Sequence, residues 1–414
     1  MTLPYEGIRM IDFTQLEQGP SGTQVLADYG VDVIKVERMD VGEIGRKQVP
    51  QINGVSLYYM ANNRNKRSLS MDVRTEEAKE IVYRLVEGAD IVASNFRPGV
   101  MDRLGFGYDR LSEINPRIIW AAASGYGLSG PYEKRIGQDL LAQAMSGLMS
   151  MTGERDGPPT PTGTWIADYM AAMLFAQGMM IALAAREKTG RGQVVESNLL
   201  NTMIASHLQE NAGVLNLGQE YPRPERGSGH SGSGPLYAIY RCKDDKYFAL
   251  MGGLIDDGLE RVCRALDIQP PLTEDPRFKD LNPGNEEAWT MRPVLEEAFM
   301  RFTRAEVEER FERAELPPGS VYELEEVFRD RQVRHNDMVI EVEHPAYGTV
   351  KLTGFPFKLS DTPATLRRSP PVVGEHNEEV LGELGYTSAR IRELQSAGVV
   401  GSENLERDRD AAAD

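Results

Sequence analysis

Through the first part of the chain, short apolar runs alternate with stretches whose apolar positions recur at helical spacing. Gly7–Phe13 predicts a buried strand, Ser21–Tyr29 a helix closed by Gly30, and Val31–Val36 a second strand. Thr75–Glu87 carries helix punctuation, with Thr75 at the cap, Glu76 and Glu77 in the first turn and Gly88 past the end. Asp90–Ala93 and Ile118–Ala122 repeat the strand pattern. Strands that are apolar throughout and separated by helices predict an α/β fold, with a parallel sheet covered on both faces.

The longest apolar stretch follows a Gly/Pro-broken loop. No charged residue occurs from Met170 to Ala185, which predicts a helix buried on most sides. The run is shorter than the roughly 20 residues that span a bilayer, and Ala, Gly and Gln dilute it, so a core helix is expected and no membrane segment. One carboxylate, Asp168, stands at the entrance, and two readings fit it. An Asp there can cap the orphan N–H groups of the first turn. It can also be a nucleophile, kept ionised by the positive end of the helix and shielded from water.

Beyond it, Gln193–Glu196 reads as a strand and Leu199–Leu215 as a helix. YPRPERGSGHSGSGP reads as a linker or mobile loop, the chain past Asp337 as β-rich to about Leu359, and the end as a helical hairpin with a frayed tail from Glu403. The expected organisation is a large domain begun by residues 1–224, a small domain over 225–330 and a return segment, 331–414, that completes the large one.

Composition narrows the function. Against 63 Asp and Glu stand 46 Lys and Arg, a net charge of −17, so nucleic acid and acidic membrane surfaces are poor partners and an anionic ligand needs a local basic cluster. Cys242 and Cys263 are the two cysteines; with no ligand spacing and no disulfide framework they predict no metal and a reducing, cytoplasmic setting. The N-terminal stretch lacks the pattern of a signal peptide.

Glu37 ends the second strand where an acid meets ribose in dinucleotide-binding folds, but TQLEQGPSG lacks the G-x-G-x-x-G pattern, which argues against a nicotinamide cofactor. Arg38 reads as a phosphate contact or a solvated strand end. Arg64, Lys66, Arg67 and Arg74 form a basic group that either pairs with the surplus acids or binds a multiply phosphorylated ligand. Asn95, Phe96, Arg97 and Arg103 lie where an apolar strand breaks at its carboxyl end, the edge at which open α/β sheets bind ligands.

GIRMIDFTQLEQGP, LADYGVDVIKVER, NKRSLSMDVR, ADIVASNFRPGVMDRLG, ASGYGLSGP, KTGRGQ, LPPGSVYELEEVFRD and PPVVGEHNEEVLGELGY, taken in order, resemble the family III CoA-transferases from about Gly7 to about Val400. The resemblance implies a Rossmann-like large domain made by both chain ends, a smaller α+β domain, and two subunits interlocked as a homodimer. It implies Asp168 as the nucleophile of a covalent aspartyl-CoA mechanism, with Asp139 secondary or orienting. CoA-binding positions fall on Glu17 and Gln18, Arg38, Met71 to Arg74, Asn95, Phe96, Arg97, Arg103 and Ile136 to Asp139, and a lid loop on Gly229, His230, Gly232 and Gly234. The implied substrates are CoA thioesters and a carboxylic acid, with no tightly bound cofactor.

Formyl-CoA transferases resemble this chain but have histidine, glutamine and alanine where Gln15, Glu17 and Gln18 stand, and lysine at Ile136. The α-methylacyl-CoA racemases resemble it too, but use a histidine where Gln138 precedes Asp139, so the base for racemisation is missing from its place. A CoA-binding subunit without catalysis is the remaining alternative, opposed by the retention of Asp168.

Overall fold

Six short strands, β1 (Arg9–Asp12), β2 (Asp32–Glu37), β3 (Lys66–Ser70), β4 (Ile91–Ser94), β5 (Ile119–Ser124) and β6 (Val194–Asn198), form one sheet in the order β3-β2-β1-β4-β5-β6. Every pairing in it is parallel. This computed structural model describes residues 2–401 except 40, 53, 226, 254 and 279–285, so the tail from Glu403 lies outside the described residues. The chain winds outward from β1 in one direction, then crosses back to β4 and winds in the other. The order reverses between β1 and β4, the kind of position at which open α/β sheets bind ligands beyond the carboxyl ends of their strands.

Side chains on successive strand residues point to opposite faces, and each face has its own cover. Met10, Val33, Ile91, Ile119 and Ala121 pack with Leu26 of α1 (Gln18–Asp28) and with Phe175, Ala176 and Met179 of a long helix, Ile166–Thr189. Ile11, Ile34, Val92 and Trp120 pack with Ile81, Val82 and Leu85 of Glu76–Glu87. Thr75 caps that last helix, its Oγ1 accepting from Ala78 N at 3.2 Å.

The return segment completes this second face. Val380 and Leu381 of the helix Asn377–Glu383, and Ile391 and Leu394 of Ser388–Ser396, join the same core. Asn377 and His376 accept hydrogen bonds from Ser70 N and Ser68 N at 2.8 and 3.1 Å, which ties the return to β3. Ahead of it, in the stretch expected to be β-rich, Val339–His344 and Gly348–Thr353 form an antiparallel hairpin.

By compactness the chain divides into two units: residues 1–146, 163–206 and 332–414 form one, and 147–162 with 207–331 the other. The boundary thus falls at His207 and not near residue 225. The expected helix over Leu199–Leu215 breaks at the same place into Leu199–Ala205 and Leu208–Leu217. Hydroxyl donation from Thr202 to Asn198 O (2.8 Å) and from Ser206 to Met203 O (2.7 Å) competes with the helix at this point. The second unit holds the antiparallel pair Tyr237–Arg241 and Tyr247–Met251 with the helices Gly258–Ala265, Arg292–Phe299 and Arg304–Arg313 around its own core of Tyr240, Phe248, Phe299 and Phe311.

The Ile166–Thr189 helix is long and apolar enough to cross a membrane by length and composition. Its inner stripe is buried under the sheet, but Leu174 and Ile181 are 42% and 61% exposed, so it is not buried on most sides as its sequence predicts. An uncharged stretch reports low polarity on every face and cannot say which faces find partners within one chain.

Candidate active site

Asp168 lies in the first turn of Ile166–Thr189, but it does not cap that helix. The capping position is Trp165, whose side chain makes no such bond. The cap comes from another element: Asp139, first residue of the helix Asp139–Met145, has its Oδ2 accept from Ala167 N at 2.7 Å and from Asp168 N at 3.1 Å. These are the N–H groups that a local cap would satisfy. Gln143, one turn on, donates to the other oxygen, Oδ1. The Asp168 carboxylate is therefore released from capping and the N-terminal charge of the helix is already matched by Asp139.

Two glycines put Asp139 there. Gly125 follows β5 and Gly137 precedes the Asp139 helix, and a methyl group built on Gly125 would lie 2.4 Å from the Gly137 Cα. Only two residues without Cβ atoms let these backbone segments touch. A third glycine, Gly22, faces the long helix from α1: a methyl group on it would lie 2.8 Å from Ala172 O and 3.1 Å from Phe175 Cδ1.

At the start of α1 stands Glu17, on the loop leaving β1. Asn95, on the loop leaving β4, braces that loop directly: it accepts from Gln15 N at 2.8 Å and donates to Gln15 O at 2.7 Å. Glu43 adds a second brace, accepting from Leu16 N at 2.8 Å. Glu17 shares a hydrogen bond with Tyr58 of the short helix Leu57–Ala61. The site is thus Asp168, Asp139 and Tyr58 from three helices, with Glu17 from the loop that enters a fourth, all in the same unit.

Electrostatics are set by crowding. Burial first, and then the Asp139 charge, raise the Asp168 carboxyl to about 7. Burial and the charge of Asp168 likewise raise Glu17 to about 7, with Asp139 adding to the rise and the Tyr58 hydrogen bond opposing it. Burial and the charges of Glu17, Asp168 and Glu43 push the Tyr58 phenol well up. The expectation that the helix end keeps Asp168 readily ionised is corrected: desolvation and a like charge outweigh it. Carboxyls tuned to titrate near neutrality gather at catalytic sites.

The expected CoA-binding residues divide into groups. Arg38, Arg97 and Arg103 are exposed; Phe96, half-buried, and Arg97 line a cavity of about 210 Å³ at the carboxyl end of β4. Arg74 is exposed and pairs with Asp72 at 2.7 Å. Met71 and Gln18 are buried, Gln18 donating to Ser124 O at 3.3 Å, and the Asn95 amide is engaged by its brace.

The other cations of the basic group are structural. Arg64 pairs with Asp28 at 2.7 Å, Lys66 with Asp12 at 3.2 Å, and Arg67 with Asp32 and Glu383, and all three cations are buried. Burial opposes the Asp12 charge, yet Lys66, Lys35 and the Thr14 hydrogen bonds hold its carboxyl down at about 2. Glu37 is spoken for as well: Arg46 and Ser68 bind its carboxylate at 2.6 and 2.7 Å, so it is a buried ion-pair partner and not a ribose ligand.

In the second unit, Gly229, His230, Gly232 and Gly234 line a cavity of about 690 Å³ floored by Leu236, Ile255 and Leu259. Gly232 N donates to His230 Nδ1 at 2.9 Å, so in the neutral ring Nε2 carries the proton and donates to Glu210 at 3.0 Å. Among the described residues no cluster of metal-ligating side chains occurs.

Sequence reasoning missed Tyr58, which sits in a five-residue helix with no motif around it, and gave Glu17 no part in chemistry. Comparison with known proteins now bears on what the cluster serves. The description CoA-transferase family III matches residues 5–377. The chain belongs to this family. It is 36% identical to a formyl-CoA:oxalate CoA-transferase of Streptomyces coelicolor, over 95% of this chain and 98% of that one. A succinyl-CoA:glutarate CoA-transferase of Homo sapiens is 33% identical over 96% and 90%. A solved CAIB/BAIF family protein from Brucella suis superposes with a TM-score of 0.83 at 30% identity, covering 93% of this chain and all of that one. The protein is accordingly a family III CoA-transferase, with CoA thioesters and carboxylates as its substrate classes.

Proposed function

We propose that the protein moves CoA from an acyl-CoA donor to a carboxylic acid through a covalent thioester on Asp168. The observation that carries this reading is that Asp139 takes over the capping of the Asp168 helix, leaving the desolvated Asp168 carboxylate beside Glu17 without a capping role.

The steps balance without water or net proton transfer. An Asp168 oxygen attacks the thioester carbonyl carbon; the carbon–sulfur bond breaks, CoA leaves as thiolate, and a mixed anhydride remains. The thiolate attacks the aspartyl carbonyl carbon, releasing the donor acid as carboxylate and leaving aspartyl-CoA. The acceptor carboxylate attacks that thioester, CoA leaves again, and it attacks the acyl carbon of the new anhydride, restoring Asp168. Because a carboxylate is a weak nucleophile, positioning must do much of the work, and good alignment can supply roughly 7–11 kcal/mol of a barrier. The fixed first turn and its external cap give such alignment.

Arg38, Arg97 and Arg103, exposed cations of the large unit, are assigned to the CoA phosphates, with Phe96 against an apolar part. The Gly229–Gly234 loop is assigned as the lid that keeps water off the intermediates. An interlocked homodimer is part of this reading, supported by apolar faces left open on one chain: Leu174 and Ile181 in one unit, and Leu208, Leu215 and Leu217 in the other.

Asp168→Asn tests the core of it. The variant is expected to keep its fold and lose transfer by orders of magnitude, because an amide forms no anhydride. Wild-type protein given donor acyl-CoA should gain a CoA-sized mass that hydroxylamine removes, and the variant should gain none. Full transfer by Asp168→Asn would remove the nucleophile from this position.

A further inference from the structure

Glu17 is a second carboxyl group at the nucleophile's mouth, and the scheme above gives it nothing to do. Its placement is specific. The helix it opens and the helix of Asp168 lie side by side, brought into contact by Gly22 against Ala172 about one turn below both acids. The double hydrogen bond of Asn95 to Gln15 and the bond of Glu43 to Leu16 fix the loop just before Glu17. Tyr58 holds the carboxyl group itself.

Resting on the reading of Asp168 as nucleophile, we infer that Glu17 is its proton partner. The two carboxyl groups hold one proton between them, which stays on Glu17 while Asp168 is the free carboxylate that attacks; Tyr58 orients the Glu17 carboxyl, and its hydrogen bond limits how firmly the proton is held. Glu17 thus acts through Asp168 as a positioning residue. Its proton is not transferred: the bonds made and broken remain those at Asp168, the acyl carbon and sulfur. What the proton does is keep the neighbour of the nucleophile neutral. With Asp139 already charged beside Asp168, a second charge on Glu17 would oppose the approach of CoA thiolate and of an acceptor carboxylate, both anions.

The charged and titratable groups that face Glu17 are Asp168 and Asp139 from their helices and Tyr58 from its own; Glu43 faces Tyr58 in turn. Because Asp168 must be ionised to attack, the proton of the pair rests on Glu17 in the reactive form. The pair then titrates in two macroscopic steps, and the reactive form lies between them.

The test is the single-turnover rate of the CoA-sized adduct as a function of pH, in wild type, Glu17→Gln, Tyr58→Phe and Asp168→Asn. Wild type should give a bell, falling below neutrality as Asp168 is protonated and above it as Glu17 ionises. Glu17→Gln carries a neutral amide at every pH, so the alkaline fall should vanish while the acid limb remains. Tyr58→Phe removes a bond that favours ionised Glu17, so the alkaline fall should move to higher pH. If Glu17→Gln keeps the wild-type alkaline limb, or if that variant is unfolded and Tyr58→Phe leaves the limb in place, the inference is overturned. An adduct on Asp168→Asn would instead overturn the nucleophile assignment, which the two other variants do not touch.

Discussion

Asp139 is the residue on which the site turns, because it has two effects that a substitution can separate. As a hydrogen-bond acceptor it caps the Asp168 helix, and as a charge it raises the Asp168 carboxyl. Asn caps about as well as Asp, so Asp139→Asn should leave stability nearly unchanged, Gln143 turning its amide over to meet the new one. Removing the charge takes away the second of the two causes that raise Asp168 toward about 7, so the acid limb of the adduct-forming rate should move to lower pH. Asp139→Ala should move the limb likewise but also cost about 1 kcal/mol, since two N–H groups lose their partner. Urea unfolding and the pH profile together read both effects. An unmoved acid limb in Asp139→Asn would mean that its charge does not reach the nucleophile.

Between elements, the decisive fact is how close α1 comes to the Ile166–Thr189 helix. Gly22 is inside α1, where Ala would ordinarily gain up to about 1 kcal/mol from helix propensity. Here the added methyl would sit 2.8 Å from the Ala172 carbonyl oxygen, a backbone atom that cannot move without its helix. Overpacking of this kind costs about 1–3 kcal/mol and outweighs the propensity gain. Gly22→Ala should therefore lower the melting temperature. Spreading the helices also shifts the first turn that aligns Asp168, so the rate of adduct formation should drop while KM for acyl-CoA changes little. A variant as stable and as fast as wild type would show that the helices have slack.

Over the whole molecule, the question is how an acidic chain holds a polyanionic substrate. Its cations fall into two populations. Arg64, Lys66 and Arg67 are spent within the fold, on carboxylates from α1 and the strands, whereas Arg38, Arg97 and Arg103 remain exposed. Removing one partner of a buried ion pair costs about 3–5 kcal/mol, because it strands the other charge. Lys66→Met and Arg64→Ala are thus expected to lower the unfolding free energy by that order, without a specific effect on KM in whatever folded protein remains. Arg97→Ala should do the reverse, raising KM for acyl-CoA several-fold, more at low salt than at high, with the melting temperature unchanged. Thermal melts beside steady-state kinetics at two salt concentrations sort the residues; an Arg97→Ala enzyme with wild-type KM would take Arg97 out of the CoA site.

The alternation of Met10 with Ile11 and of Ile91 with Val92, the cap at Thr75 and the helical return after Pro371 all follow from local periodicity and stop signals, and the sequence by itself determined them together with the α/β class. It also singled out Asp168, through the one charge at the mouth of an uncharged run. What Asp168 is relieved of was decided only in three dimensions, because Asp139 caps it from 29 residues away in the chain. The same holds for the basic segment around Lys66, which reads as a ligand site until its carboxylate partners arrive from 36 and 54 residues earlier. Glu17 comes beside Asp168 because Gly22 lets α1 touch the Ile166–Thr189 helix. Periodicity records which side of an element is apolar; which acid faces which is fixed by how the elements pack, and no local pattern encodes that distance.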